Sequence, residues 1–120
     1  MSNVEQLDTP AVTIRLDRLE ANIRRAQSQL DRHGVANRPH IKTHKIPAIA
    51  KMQMEAGASG ITCQKIGEAE AFADAGVVDD ILITYNILGE AKAERLIALN
   101  ERLRRLTVVL DNEMVARGLS

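Results

Sequence analysis

An α/β fold built around a parallel sheet is what this sequence predicts, and three observations predict it. Along its 120 residues the hydrophobic pattern switches repeatedly between short apolar runs of strand length and longer stretches with apolar side chains every three or four positions. The strand-like runs begin roughly 20 to 25 residues apart, the spacing of βαβ units whose crossover helices keep the strands parallel. Most of these runs are apolar nearly throughout, as strands covered on both faces must be.

Ala11-Val12-Thr13-Ile14-Arg15-Leu16 is short and β-prone, opened by Thr9-Pro10, and reads as a first strand. Leu16, Leu19, Ile23, Ala26 and Leu30 then form one helix face, with Asp17 as the cap and His33-Gly34 as the stop. Arg38 precedes a proline and favours extended backbone, so Arg38 to Lys42 is expected to be a short extended piece. A second helix fits Pro47 to Glu55, with proline in its first turn and Gly57 past its end. Gly60 to Cys63 is a short buried strand, and Glu68 to Ala75 a third helix closed by Gly76. Asp80 to Tyr85 is the clearest strand in the chain. Glu90 to about Arg104 is a fourth helix, Leu106 to Leu110 is another buried strand, and Asp111-Asn112 opens the next element.

A doubly wound sheet and a TIM-type barrel both fit this alternation. Four units from about residue 38 onward would make half of an eight-stranded barrel, which typically needs about 250 residues. Truncation is the favoured reading, because Gly118-Leu119-Ser120 breaks off where another helix should be under way.

Composition narrows the function classes. The formal charge is zero with both signs mixed along the chain, which gives no electrostatic case for nucleic acid or an anionic membrane. Charged residues interrupt every apolar stretch before it reaches the length of a membrane span. The polar start, Met1 to Leu7, lacks the pattern of a secretory signal, and Cys63 is the sole cysteine. A reducing, cytoplasmic home is therefore expected. With only Phe72 and Tyr85 as aromatics, the core must be aliphatic and no base-stacking platform is expected.

Ligands of parallel α/β folds gather at the carboxyl ends of the strands. Those ends read Lys42-Thr43-His44, Cys63-Gln64-Lys65, Tyr85-Asn86 and Asp111-Asn112. The stretch Arg38-Pro39-His40-Ile41-Lys42-Thr43-His44-Lys45 is the most distinctive. On an extended segment His40, Lys42 and His44 would share one face, placing a primary amine between two imidazoles. Nearby cations and partial burial both favour a neutral lysine, the form that attacks a carbonyl. His44 is a candidate for acid/base work or cofactor contact. No metal site is expected here, since two histidines four apart on an extended segment do not converge and no third ligand lies nearby. Cys63, ending an apolar strand, reads as core. Gly57 to Gly60 reads as a turn, because its amides lie between a helix and a strand, the wrong order for a phosphate loop.

Thr9-Pro10, Leu16 to Ile23, Arg38 to Lys45, Gly60-Ile61-Thr62-Cys63-Gln64-Lys65-Ile66-Gly67-Glu68-Ala69-Glu70 and Asp80 to Ile83 together resemble the N-terminal region of the D-threonine aldolase and D-serine dehydratase group. That group belongs to the alanine racemase-like fold type of pyridoxal phosphate enzymes. The resemblance implies a (β/α)8 barrel, of which residues 17–120 would be about half. It also implies that residues 1–16 pair with a C-terminal β-domain, which this chain lacks. The Schiff-base lysine that ends the first barrel strand matches Lys42, with His40, His44 and Gln64 as its cofactor-contacting neighbours. The implied activity is cleavage of a D-3-hydroxyamino acid to glycine and an aldehyde. The implied divalent metal (manganese, magnesium or zinc) would be bound only by the C-terminal domain, and the full-length enzyme is expected to be a homodimer. The nearest alternative is a dehydratase giving pyruvate and ammonia from D-serine. A racemase departs from this pattern at Thr43-His44-Lys45, and a non-catalytic cofactor carrier or an inactive fragment stands as the non-enzyme reading.

Overall fold

The computed structural model describes residues 4–120. Three short apolar runs become strands: β1 (Ile61–Cys63), β2 (Asp80–Ile83) and β3 (Arg105–Val108). They pair in parallel in the order β1-β2-β3, aligning Ile61 with Ile81 and Leu106, and Cys63 with Ile83 and Val108. Parallel neighbours need crossovers, and α3 (Ile66–Asp74) and α4 (Glu90–Asn100) supply them. α1 (Leu16–Arg32) and α2 (Pro47–Glu55) precede the sheet, and α5 (Glu113–Gly118) comes after it. No helix among the described residues is long and apolar enough to cross a membrane.

Alternation along each strand sorts the side chains into two layers. Ile61, Cys63, Ile81 and Ile83 are fully buried in one cluster with Ile66, Ala69 and Phe72 of α3 and Leu96 and Leu99 of α4. The opposite face carries Thr62, Leu82 and Thr107 in one row, extended beyond β1 by a bridge between His40 and Thr62. The Thr62 N–H donates to the Pro39 carbonyl at 2.8 Å, so residues up to His40 act as a rudimentary strand beside β1.

One layer below, at the amino ends of the strands, the same face closes with charge. The Arg38 guanidinium lies 2.9 Å from Oδ1 of buried Asp80, and its Nη1 reaches the carbonyls of Ile61 and Asp80 at 3.4 Å each. Gly60 makes room for it: a Cβ there would collide with Arg38 Nη1 and with the Asp80 carbonyl oxygen.

Several expected boundaries move. Ala11 to Leu16 is not a strand: residues 11–15 have no regular structure, Leu16 already opens α1, and Val12 is 98 % exposed. Strand propensity cannot hold a ladder without a neighbouring strand, and none lies beside this segment among the described residues. Residues 1–3 of the expected 1–16 segment lie outside the described residues. Asp17 is not the α1 cap; it sits inside the first turn and pairs with Arg15, the N-cap residue, at 2.7 Å. The end of α1 is as expected, with Gly34 in the left-handed region at φ +64°. α4 stops at Asn100 rather than near Arg104, because Arg105 is already paired to Asp80 as the first residue of β3. α3 begins at Ile66, two residues before the expected start.

Candidate active site

The segment from His40 to Lys45 leaves the sheet as a tight turn rather than continuing as a strand. Ile41–Thr43 form one 3₁₀ turn, and fully buried Ile41 anchors it. The Ile41 carbonyl accepts from the His44 N–H at 3.2 Å and from the Lys45 N–H at 2.8 Å. Lys45 sits at φ +53°, the left-handed region that L-residues other than Asn and Asp seldom occupy. Side chains on a 3₁₀ turn rotate by about 120° per residue rather than 180°, so His40, Lys42 and His44 do not share the face expected of an extended strand. Lys42 points to solvent, while His40 and His44 are half-buried.

The two imidazoles have different surroundings. His40 accepts the Lys42 N–H at Nδ1 (3.2 Å). Burial and the Lys42 charge push its pKa below the usual 6.5, against an opposing pull from Glu68. His44 turns inward, its ring edge-on to Phe72 at 6.4 Å between centroids. Its Nδ1 accepts the Ile46 N–H at 3.0 Å, so the neutral ring carries its proton on Nε2. The buried Nε2 has no hydrogen-bond partner among the described residues, and neither has the side-chain oxygen of Gln53. Burial lowers the His44 pKa, opposed by its contacts with Gln53 and Ile46. Nδ1 is thus committed to the turn, whereas Nε2 makes no hydrogen bond among the described residues.

Glu68, absent from the expected site, lies at its centre. Its carboxylate, buried in the first turn of α3, accepts the Gln64 N–H at 2.8 Å and the Lys45 ammonium at 2.9 Å. Burial alone would raise its pKa, but Gln64, Lys45 and Lys65 outweigh burial and hold the carboxyl below its usual range. The only trace in the sequence is an acid five residues after a strand end at the start of a helix, a common arrangement. Cys63 is buried core, its thiol pushed up to about 12 by burial and Glu68, so it carries no nucleophilic role at neutral pH.

Two neighbouring cavities open at the carboxyl ends of the strands. One, of about 390 Å³, is lined by Lys45, Gln64, Lys65, Glu68 and Tyr85. The other, of about 500 Å³, is lined by Thr84, Tyr85, Asn86, Val109, Leu110 and Asp111. Exposed Tyr85 forms the wall between them. The loops after β2 and β3 are tied by a hydrogen bond from Asn86 Nδ2 to Asp111 Oδ1 at 2.9 Å. The structure thus groups Gln64 with Lys45, Glu68 and Tyr85, and groups His40 with Lys42. Among the described residues no three His, Cys, Asp or Glu side chains converge as a metal set.

These shifts set a pH dependence. Both half-buried histidines resist protonation in the folded chain, whereas in the unfolded chain they protonate near the usual 6.5. The unfolded state therefore binds more protons below that value, and stability falls as pH drops through it. Glu68 and Asp80 have folded pKa values below the usual 4.5 and 3.8, so their contribution is present above those values and is lost as pH falls below them. Thermal melts between about pH 8 and pH 3 should show Tm declining in two stages. A Tm flat down to about pH 4 would show that the two rings titrate freely in the folded chain.

Residues 14–120 match the family described as alanine racemase, N-terminal domain. The chain is 45 % identical over 107 residues to a D-threonine aldolase from Arthrobacter sp., a match covering 89 % of this chain and 28 % of that protein. It is 39 % identical over 115 residues to D-threo-3-hydroxyaspartate dehydratase from Delftia sp. (strain HT23), covering 95 % and 30 %. The crystal structure of D-threonine aldolase from Filomicrobium marinum superimposes with a TM-score of 0.93 at 40 % identity, covering 98 % of this chain and 31 % of that one. The chain thus spans about 30 % of the length of the relatives it matches.

Proposed function

This chain belongs to the alanine racemase N-terminal domain family, and from that premise we propose that it is the cofactor-anchoring part of a pyridoxal phosphate-dependent lyase acting on D-3-hydroxyamino acids. Cleavage to glycine and an aldehyde is the preferred reaction. The observation that carries the proposal is the exposed amine of Lys42, on a turn pinned at Ile41 and at the carboxyl end of a parallel sheet. In this reading the His40 segment, β1, β2 and β3 are the first four strands of a (β/α)8 barrel. Residues 17–120 then form about half of that barrel, and residues 1–16 pair with a C-terminal β-domain. Supporting this, the outer edge of β3 has no partner strand among the described residues, and Val12 and Ile14 lie open to solvent.

The donor set fits pyridoxal phosphate at its aldehyde end: a solvent-exposed primary amine, a neutral imidazole beside it and an amide at the rim of a cavity. Lys42 Nζ would hold the aldehyde carbon, with His40, His44 and Gln64 as neighbours. When bound, the cofactor supplies an electron-accepting ring for the pair released as a bond at the substrate's α-carbon breaks. His40, its Nδ1 taken by the Lys42 N–H, can pass a proton only through Nε2. Its depressed pKa leaves that ring neutral and able to accept a proton at about pH 7. The divalent metal of the reaction (manganese, magnesium or zinc) is assigned to the C-terminal domain of a cytoplasmic, homodimeric enzyme.

Glycine and acetaldehyde from D-threonine, with added cofactor and manganese, is the expected result for the full-length enzyme. Pyruvate and ammonia from D-serine instead would favour the dehydratase. The 120-residue chain alone is expected to be inactive, because the strands that would complete the barrel and grip the cofactor phosphate lie downstream. Turnover by this chain alone would overturn that expectation.

A further inference from the structure

We infer that Glu68 is the positioning residue of the Lys42 site, clamping the turn that presents Lys42 to the loop that carries Gln64. The inference rests on the cofactor reading of Lys42 and adds a residue that this reading does not contain.

The geometry separates Glu68 from an ordinary surface acid. Its side chain is 6 % exposed, and its two oxygens serve two different loops. Oε1 takes the Lys45 ammonium at 2.9 Å and Oε2 takes the Gln64 N–H at 2.8 Å. The other acids of α3 serve other ends: Glu70 pairs with Arg95 and Asp74 with Arg102, both on the side of α4 and its following loop. Glu68 alone in that helix reaches back toward the Lys42 turn.

What it holds there is an unfavoured conformation. Lys45 occupies the left-handed region at φ +53°, where a Cβ crowds the neighbouring carbonyl and the chain would otherwise relax. Two contacts keep it in place: its N–H on the Ile41 carbonyl at 2.8 Å and its ammonium on Glu68. The first closes the turn around Lys42. The second fixes the end of that turn to α3. Lys42 thus lies between a buried anchor at Ile41 and a charge clamp at Lys45, and its own N–H is held by His40. Loss of the clamp would free Lys45 to leave the left-handed region. The turn would then open, and Lys42 would scatter in direction while the buried sheet stayed intact.

The same carboxylate also balances charge. Lys45 and Lys65 flank it, and among the described residues it is the only acid lining the 390 Å³ cavity. Its removal leaves a cationic cluster that would draw an anionic aldehyde to Lys45 and Lys65 as readily as to Lys42.

The test reads where the label goes. The full-length protein is mixed with pyridoxal phosphate, reduced with borohydride, and the modified lysines are quantified by mass spectrometry. The unmodified protein is expected to place the label on Lys42, with Lys45, Lys51 and Lys65 spared. Glu68→Ala is expected to lower the Lys42 share at least ~5-fold and to spread label over its neighbours, with Glu68→Gln falling between. Lys45→Met removes the ammonium from a side chain that is 56 % exposed, and should lower the Lys42 share in the same way. Lys45→Gly in the Glu68→Ala background should recover it, because glycine accepts the left-handed conformation unaided. A contribution of Glu68 to fold stability alone would shift Tm and leave the label distribution unchanged. Unchanged Lys42 selectivity in both Glu68→Ala and Lys45→Met would overturn the inference. Scattered label in the unmodified protein would overturn the cofactor reading itself, a distinct outcome.

Discussion

Lys42→Ala is expected to abolish the reducible link to pyridoxal phosphate and to lower D-threonine cleavage by the full-length enzyme at least ~10³-fold, equivalent to about 4 kcal/mol of transition-state stabilisation. The size comes from the chemistry assigned to the residue. No other side chain offers a primary amine on this turn except Lys45, and its ammonium is committed to Glu68 at 2.9 Å. Lys42→Arg is the sharper control. It keeps the positive charge and most of the reach, but its guanidinium stays protonated at any working pH and cannot attack a carbonyl. Both variants should fold normally, because Lys42 is exposed and the turn is made by backbone hydrogen bonds and Ile41. Two measurements check this: the loss of the reduced adduct at residue 42, and a Tm within a degree or two of the parent. An arginine variant retaining a tenth or more of the activity would remove Lys42 from the chemistry.

The second large effect lies at the opposite end of the sheet. Asp80→Ala is expected to cost about 3 kcal/mol of stability, because it leaves the Arg38 guanidinium in the sheet's lower layer without its counter-charge. Arg38 is only 26 % exposed, against 59 % for Arg104, the other partner of Asp80. Water can therefore replace the lost partner for Arg104 far better than for Arg38. The two remaining contacts of Arg38, to the carbonyls of Ile61 and Asp80, are long at 3.4 Å. For a domain of this size the loss corresponds to a Tm lower by roughly 10–20 °C. Arg104→Ala should cost less than about 1 kcal/mol, as exposed pairs do. The contrast between these two variants in matched thermal melts is the test. Equal costs would show that Asp80 acts through surface charge rather than through Arg38.

These effects fall on the two ends of one sheet, and the sequence reveals the two ends unequally. The alternation of elements is legible because it depends only on periodicity. Pro47 to Glu55 is helical as expected, and the apolar runs at 61–63 and 80–83 become adjacent parallel strands. Lys42 stands out through the run of charged and imidazole side chains around it, and Gln64 through its place after a strand. Other features depend on partners far away in the chain. Residues 11–16 have strand-forming side chains, but a strand is a pairing, and no partner lies beside them among the described residues. The segment after His40 looks extended by composition. It turns instead because buried Ile41 pins it and its carbonyl takes two N–H groups in succession.

The sequence by itself determined the α/β alternation, the largely aliphatic core and the run of lysine and histidine side chains at a strand end. All of these are local patterns of hydrophobicity and residue type. Tertiary structure decided which way the groups of that segment point: Lys42 outward, His44 inward on Phe72, and Lys45 bent back to Glu68. It also decided that Asp80, 42 residues from Arg38, would be the charge that closes the sheet's other end. The physical reason is that a buried charge must find its counter-charge in space. Chain separation says nothing about where that partner lies.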